Sequence, residues 1–531
     1  MFSTLNLLIL ILWIFSAISD YSYFVYFAQL KEYRWDRFRD FLNTEQGKHF
    51  TFQFNIVHRA LLIMIALFLP LSIPLQKAVI LFILVINFIH DIYKIFKRKK
   101  FIRPVFTFKS SFLILIPIFL EVSFLFKSHN WDALLILMMT RIFVLGLIVY
   151  FVNFLTDLIK KIIIKRATRK ITTYKNLKVI GITGSYGKTT TKIFLEHFLT
   201  KKFKVISTPK HVNTEIGIAK FILNTDFSDQ QIFIVEMGAY NLGEIKTICD
   251  MVKPTIGILT AIANQHLSLF GSMKNLQRAK YELLRSLPQD GLAVTNSDNP
   301  YCREFLSELK CQIKTFGTEV EFKPNLLIQN IHDSLDTVEA TVTYEKNEPV
   351  TTKAHLRGVH NVFNIVPCVL VSYFFGLQRE DVLNSIKELP QTVNLYKYGN
   401  CNVIDDSYNS NPEGFKSALD YLSKFPTEQK RIVITRGMLE LGEKSNGEHE
   451  KIAGEISYTA DELVLITPDF IEPIKNGLVP KFNIELKTIY EPLELLNYVK
   501  TIKNSHSAIL LENRLPKIVL DEILQNSEKE I

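Results

Sequence analysis

Within its first 156 residues the chain carries five apolar windows, at about 5–28, 57–74, 76–94, 110–127 and 133–156. Each is close to the ~20 residues a helix needs to cross a bilayer. No other feature narrows the fold as much, because backbone in hydrocarbon must satisfy its own N–H and C=O groups and so folds as helix. The segments between the windows alternate in charge. KEYRWDRFRD (31–40), KIFKRKKFIR (94–103) and KKIIIKRATRK (160–170) are basic, whereas the turns near Lys77 and at KSHNWD (127–132) are short and nearly neutral. The positive-inside rule puts the basic segments in the cytosol, the N-terminus outside, and everything after residue 157 in the cytosol. A cleaved signal peptide fits the first window less well, since it lacks a basic start and a small-residue cleavage site and further spans follow it.

The net charge of +9 belongs to this front third: residues 1–175 hold 23 Lys and Arg against 9 Asp and Glu, and the remainder 39 against 44. Basic residues that flank apolar windows point to lipid and away from nucleic acid. Cys249, Cys302, Cys311, Cys368 and Cys401 include no C-x-x-C pair, so neither a disulfide framework nor a zinc site is expected. Glu121 and Arg141 fall inside the fourth and fifth windows, at similar depth if those helices form a hairpin about residue 130. Intramembrane charges pair with one another or line a functional cavity, so a structural ion pair and a headgroup site are both open. His90 and Asp91, near a helix end, are read as interfacial.

After residue 177 short buried runs alternate with amphipathic segments: LKVIGIT, TTKIFLEHFL, IFIVEMG, IKTICDMV, IGILTAI. Such alternation predicts a mainly parallel, doubly wound sheet. GITGSYGKTT (181–190) leaves the first strand at the end where such sheets meet their ligands. Gly184, Ser185, Tyr186, Gly187, Lys188, Thr189 and Thr190 then form a loop for the phosphates of ATP. Glycines let backbone N–H groups turn in around phosphate oxygens, Lys188 neutralises the β/γ charge, and Thr189 reaches a Mg²⁺. The spacing departs from G-x-x-x-x-G-K-[ST], because Ile182 stands where the first glycine is expected.

The spacing G-x-x-G-x-x-G-K-T-T resembles the ATP loop of the Mur ligases, the ATP-dependent amide-forming enzymes of peptidoglycan precursor synthesis. STPKHVNTEIG (207–217), EMGAYNLGEI (236–245), NQHLSLFGSMKNLQRAKYEL (264–283), NSD (296–298), GVHNVFN (358–364), DDSYNSNPEGFKSAL (405–419), GMLELGEKSNGEH (437–449) and ENR (512–514) resemble further blocks in family order. The apolar windows give an α-helical transmembrane domain of about five helices (1–157) and a basic linker (158–176), and the resemblance, which covers 177–531, implies a P-loop ATPase α/β domain (177–394) and a C-terminal Rossmann-like α/β domain (395–531). It implies ATP, two Mg²⁺ ions near Thr189, Glu236, His266 and Lys280, and catalytic roles for Lys188, His266, Lys280 and Asp406. Lys280 aligns with a lysine that many members carry as a carbamate. Asn296, His360 and Asn361 match positions that bracket adenine, while Asn213, Thr214, Tyr408, Asn409, Asn411 and Arg514 match substrate contacts.

Within the family, DDSYNSNP and GMLELGE look most like the branch that adds a D-Ala-D-Ala dipeptide to a muramoyl-peptide. The partners implied are a cell-wall precursor acceptor, nucleotide- or lipid-linked, a dipeptide or amino-acid amine donor, and membrane lipid. A multi-pass protein of the cell membrane with cytoplasmic catalytic domains is expected. A poly-γ-glutamate-type synthetase is the enzymatic alternative, and a nucleotide-sensing membrane scaffold or ATP-driven transporter the alternative of another class. Three departures stand out. LPQTVNLYKYG (389–399) replaces a usual Gly-Arg whose Arg reaches phosphate, and Lys397 offers a point charge in its place. Arg436 and Gly437 stand where a Gly-Asp pair is common. The apolar windows occupy the place of a soluble domain that grips the sugar nucleotide.

Overall fold

The computed structural model describes residues 4–42, 47, 64, 73–98, 103–127, 131–265, 267–345, 347–407 and 411–529. The chain divides into two compact units, Met1–Lys161 and Ile162–Ile531. The helices Thr4–Leu30, Ile73–Arg98 and Phe108–Lys127 of the first, and Trp131–Ile171, whose last ten residues belong to the second, contain four stretches long and apolar enough to cross a membrane. The expected window 57–74 lies almost wholly outside the described residues. Lys77 does not sit in a turn: it belongs to the start of the helix Ile73–Arg98 and donates to Asn6 Oδ1 at 3.2 Å. The basic segment after residue 31 holds an amphipathic helix, Trp35–Leu42. The basic connector is not irregular either. Its Lys, Arg, Ile and Ala favour helix and no Gly or Pro interrupts them, so the last helix runs on for 41 residues to Ile171.

Large apolar side chains, Phe82, Phe119, Phe143 and Leu147 among them, point outward along these helices, and a charged cluster lies inside. Arg141, 1% exposed, grips Glu121 with both Nε (3.0 Å) and Nη2 (2.8 Å), while its Nη1 donates to Ser16 Oγ and Asp20 Oδ2, each at 2.9 Å. Trp13 Nε1 and Tyr21 OH donate to the same Glu121 carboxylate, at 2.7 and 2.5 Å. All three guanidinium nitrogens and both Glu121 oxygens are engaged, which is what a structural ion pair requires in an apolar interior. Asp91, expected at the interface, is 6% exposed within the unit.

The second unit has two α/β parts. Nine strands form the first sheet: β1 (Lys178–Thr183), β2 (Val205–Ser207), β3 (Ile232–Glu236), β4 (Ile256–Leu259), β5 (Leu292–Asn296), β6 (Gln312–Gly317), β7 (Leu326–Asp333), β8 (Val338–Tyr344) and β9 (Val350–Ala354), in spatial order 2-3-1-4-5-6-7-8-9. Pairing is parallel from β2 to β7 and antiparallel from β7 to β9. The central strands are buried on both faces, as βαβ crossovers require, and alternate residues serve opposite layers. Ile180, Ile182, Ile234 and Ile258 pack with Phe194 and Phe198, whereas Val179, Phe233, Val235 and Leu259 pack with Ile248, Leu276 and Leu283. Ala167 and Ile171, at the end of the long helix, join the second layer.

Seven strands form the second sheet: β10 (Asn394–Tyr398), β11 (Cys401–Asp406), β12 (Lys430–Thr435), β13 (Glu462–Leu465), β14 (Glu485–Thr488), β15 (Ser507–Glu512) and β16 (Glu528–Lys529), in order 14-13-12-15-11-10-16. It is parallel from β14 to β11, with β10 and β16 antiparallel at one edge. Loops after β4 and β12 join the two parts: Ser268 N donates to Glu440 O at 3.0 Å, and Lys444 Nζ to Asn264 Oδ1 at 3.2 Å.

Candidate active site

The loop between β1 and the helix Lys188–Leu199 is shaped by its glycines. Gly187 has φ 78° at the helix N-cap, where a Cβ would run into the Asn364 amide, and a Cβ on Gly184 would meet Thr260 and the Ala261 backbone. The β4 exit loop holds it from the other side. Ser185 N donates to Ala261 O at 2.8 Å, Ala263 N to Ser185 Oγ at 3.0 Å, and Thr260 Oγ1 to the carbonyl of Tyr186 at 2.5 Å. Lys188 Nζ donates to Gly184 O at 2.7 Å.

Glu236, the last residue of β3 and 2% exposed, is the hub. Its carboxylate accepts from Thr189 Oγ1 and Asn213 Nδ2, each at 3.0 Å, and pairs with Lys192 Nζ at 3.2 Å. Burial pushes its carboxyl up, but Lys188 and Lys192, with the bonds from Asn213 and Thr189, outweigh that and hold it below the ordinary glutamate value. Lys192 was not legible as a site residue. One turn beyond Lys188 it reads as a solvated helix lysine, yet it is 3% exposed and also donates to Thr208 O at 2.7 Å.

Lys280 lies on the helix Met273–Arg285 and is 2% exposed. Among the described residues its ammonium makes no hydrogen bond or ion pair. Burial first and repulsion from Lys188 second carry its pKa well below the lysine value, against the pull of Glu244 and Glu282. Lys188 is lowered too, by burial, with Glu236 opposing. Lys188, Thr189, Asn213, Glu236 and Lys280 are thus brought together. His266, Tyr408 and Asn409 lie outside the described residues.

Other expected residues have structural work that the sequence left open. Thr214 and Asn411 are N-caps, accepting from Gly217 N and Gly414 N. Asn296 Oδ1 accepts from Asp298 N at 2.8 Å in a turn, and Asn361 ties Arg357 O to Asn364. His360 begins the helix Asn361–Phe374, its pKa lowered to about 4 by burial. On the second sheet Asp406 ends β11 beside Glu512 of β15, and burial raises its carboxyl to about 7, with the bond to Glu512 opposing and Asp405 adding. Lys397 is not at this edge. It pairs with Asn402, whose side chain it meets at 3.1 Å, four residues before Asp406 on β11, so it does not stand in for the missing arginine.

Two α/β parts, with a cation-lined glycine loop at the strand ends of the first, define the fold class of the peptide ligases. MurF from Acinetobacter baumannii gives a TM-score of 0.61 at 23% identity over 69% of this chain and 79% of that one. The MurF ligase from Thermotoga maritima in complex with ADP gives 0.59 at 23%, over 69% and 83%. Residues 182–372 match the Mur ligase middle domain and residues 392–509 the domain described as Mur ligase, glutamate ligase domain. The chain belongs to the Mur ligase family. The UDP-N-acetylmuramoyl-tripeptide–D-alanyl-D-alanine ligase of Bacillus subtilis is 28% identical over 355 residues, 65% of this chain and 76% of that protein. The enzyme of that name from Synechocystis is 29% identical over 298 residues, 55% of this chain and 62% of that protein.

Proposed function

We propose that the chain is an ATP-dependent ligase of peptidoglycan precursor synthesis, joining D-Ala-D-Ala to the terminal carboxylate of a muramoyl-peptide, and that its N-terminal helices hold it in the cell membrane with the catalytic parts in the cytoplasm. The observation that carries the reading is the Glu236 hub, which gathers Thr189, Asn213 and two lysines at the mouth of a glycine loop. Its relatives' names supply the substrates. The γ-phosphoryl group of ATP passes to the acceptor carboxylate, ADP leaves, and the amine attacks the acyl phosphate, releasing phosphate. Negative charge gathers in both steps, and preorganised cations answer it.

Lys188 supplies one such charge. Thr189 and Glu236 are the described residues that fit Mg²⁺, hard oxygen donors with the carboxylate kept ionised. His266 is the further candidate, and two ions are the expected complement. Lys280, buried with its ammonium disfavoured, suits reaction with CO₂ as the free amine, giving a carbamate and a proton. That carbamate would present oxygens to a cation. Asn296, His360 and Asn361 are assigned to adenine, Asp406 to the amine, and Asn213, Thr214, Tyr408, Asn409, Asn411 and Arg514 to substrate. The acceptor is the UDP-linked peptide or its lipid-linked counterpart. Detergent-purified full-length protein should release phosphate from ATP only with one of these acceptors, and faster with D-Ala-D-Ala. No amine-dependent release with either acceptor would refute the assignment.

A further inference from the structure

The row of residues leaving the second sheet contains an arginine, Arg436, that the reaction above does not use, beside Arg514, which it assigns only to substrate. Arg436 follows β12 directly, and Arg514 follows β15 by two residues, where Thr435 and Glu512 are register partners on adjacent parallel strands. Arg436 is half-buried and Arg514 exposed. Among the described residues neither guanidinium makes a hydrogen bond or an ion pair. Burial lowers the pKa of Arg436; Asp469 pulls the other way without pairing with it, and the smaller repulsion from Arg514 adds to the lowering. Two like charges with unsatisfied planar donor forks are costly side by side unless an anion joins them, and a fork matches a carboxylate with two parallel bonds.

The backbone beneath Arg436 is fixed. Gly437 has φ 76°, a Cβ there would strike Phe470 and His449, and Asn513 Nδ2 donates to its carbonyl at 2.5 Å. His449 Nε2 accepts from Met438 N at 2.9 Å and its ring stacks on Phe470 with centroids 4.0 Å apart. On the far side of β15 the same edge ends in Asp406, register partner of Glu512.

We propose that Arg436 and Arg514 clamp the carboxylate of the incoming amine donor while Asp406 meets its ammonium. The proposal rests on the ligase reading and deepens it. Arg436 stands where the family resemblance leads one to expect glycine, so this specificity element belongs to this chain. β12 and β11 are separated by one strand, about 10 Å at the usual spacing. A two-residue donor spans up to about 7 Å, and inward-leaning side chains close the remainder, whereas one amino acid is about half as long. The row therefore fits a dipeptide with a free carboxylate.

The test compares D-Ala-D-Ala with its C-terminal carboxamide on full-length protein. Wild type should prefer the carboxylate. Arg436→Gln should raise the dipeptide KM by about tenfold or more, leave the ATP KM within about twofold, and erase the preference; Arg436→Lys should fall between. Arg514→Gln, at an exposed position, should act in the same direction without endangering the fold. An unchanged dipeptide KM and preference in both glutamine variants overturns the clamp, as does a rise in ATP KM alone, which would make the ligand a nucleotide phosphate. If wild type shows no amine-dependent turnover, the ligase reading is what fails. Calorimetric titration of the full-length protein with the dipeptide and the carboxamide then decides the clamp, and equal affinity or no binding overturns it.

Discussion

Two buried charged clusters, one in each unit, are built on opposite terms. Around Arg141 every nitrogen of the guanidinium has a partner, and Glu121 is held by three side chains. Around Glu236 the positive charges are crowded: Lys188 and Lys280 repel each other, both are disfavoured by burial, and Lys280 has no bonded partner among the described residues. Satisfied buried charge fixes a structure, whereas buried charge left in excess answers a ligand. The first cluster accordingly should govern stability, and the second turnover.

The widest separation is expected for Lys188→Ala. It removes the charge proposed to meet the phosphates and little packing, so ATP turnover should fall by about 10³-fold or more with an unchanged melting curve. Retention of more than a few per cent of phosphate release would end the loop assignment. The opposite profile is expected for Arg141→Leu. Leaving Glu121 buried without its partner should cost about 3–5 kcal/mol, read as a lower melting temperature in detergent, while kcat and KM of the folded fraction stay as they were. The Glu121→Leu/Arg141→Leu double variant should recover much of the loss. A drop in acceptor use at unchanged stability would instead make the pair a headgroup site.

Lys280→Ala sharpens the comparison from the catalytic side. Turnover should fall by about 10²-fold, with partial recovery in formate or acetate, because a small carboxylate can occupy the space of a carbamate. Stability should hold or rise, since an unpaired buried amine is removed. If no carboxylate restores activity and Mg²⁺ dependence is unchanged, the carbamate is abandoned.

How much of this was legible depended on distance along the chain. The glycine loop, Glu236 at a strand end and Lys280 in RAKYEL could be read because each lies in a short contiguous block. The partners of the Arg141–Glu121 pair could not: Ser16 and Asp20, which accept from Arg141, and Trp13 and Tyr21, which donate to Glu121, lie 100 or more residues away on another apolar helix, and an apolar window carries no register. Lys192 was hidden because helical period alone does not say which face β3 covers. Lys397 was misread because antiparallel pairing with β11 places it beside Asn402, at the wrong end of the strand. Arg436 was visible as a departure, but its neighbour Arg514 lies 78 positions on and becomes adjacent only through the β12–β15 pairing.

The smallest expected effect tests whether crowding of charge extends to the second sheet. Asp406 neighbours Glu512, and its folded pKa of about 7 stands above the ~3.9 of an unfolded aspartate. The native state therefore holds a proton that the unfolded chain has released. Its contribution to stability is complete below about pH 4 and is lost as pH rises through about 7. Asparagine cannot ionise, so Asp406→Asn escapes that loss. Its melting temperature should match wild type below about pH 4, rise above it between about pH 4 and 7, and hold the gap at pH 8. Arg141→Leu, measured alongside, should differ from wild type by an amount that does not change over the same range. A pH-independent difference for Asp406→Asn would mean that Asp406 is ionised throughout. The edge carrying Arg436 and Arg514 would then hold a fixed negative charge for the ammonium rather than a proton acceptor.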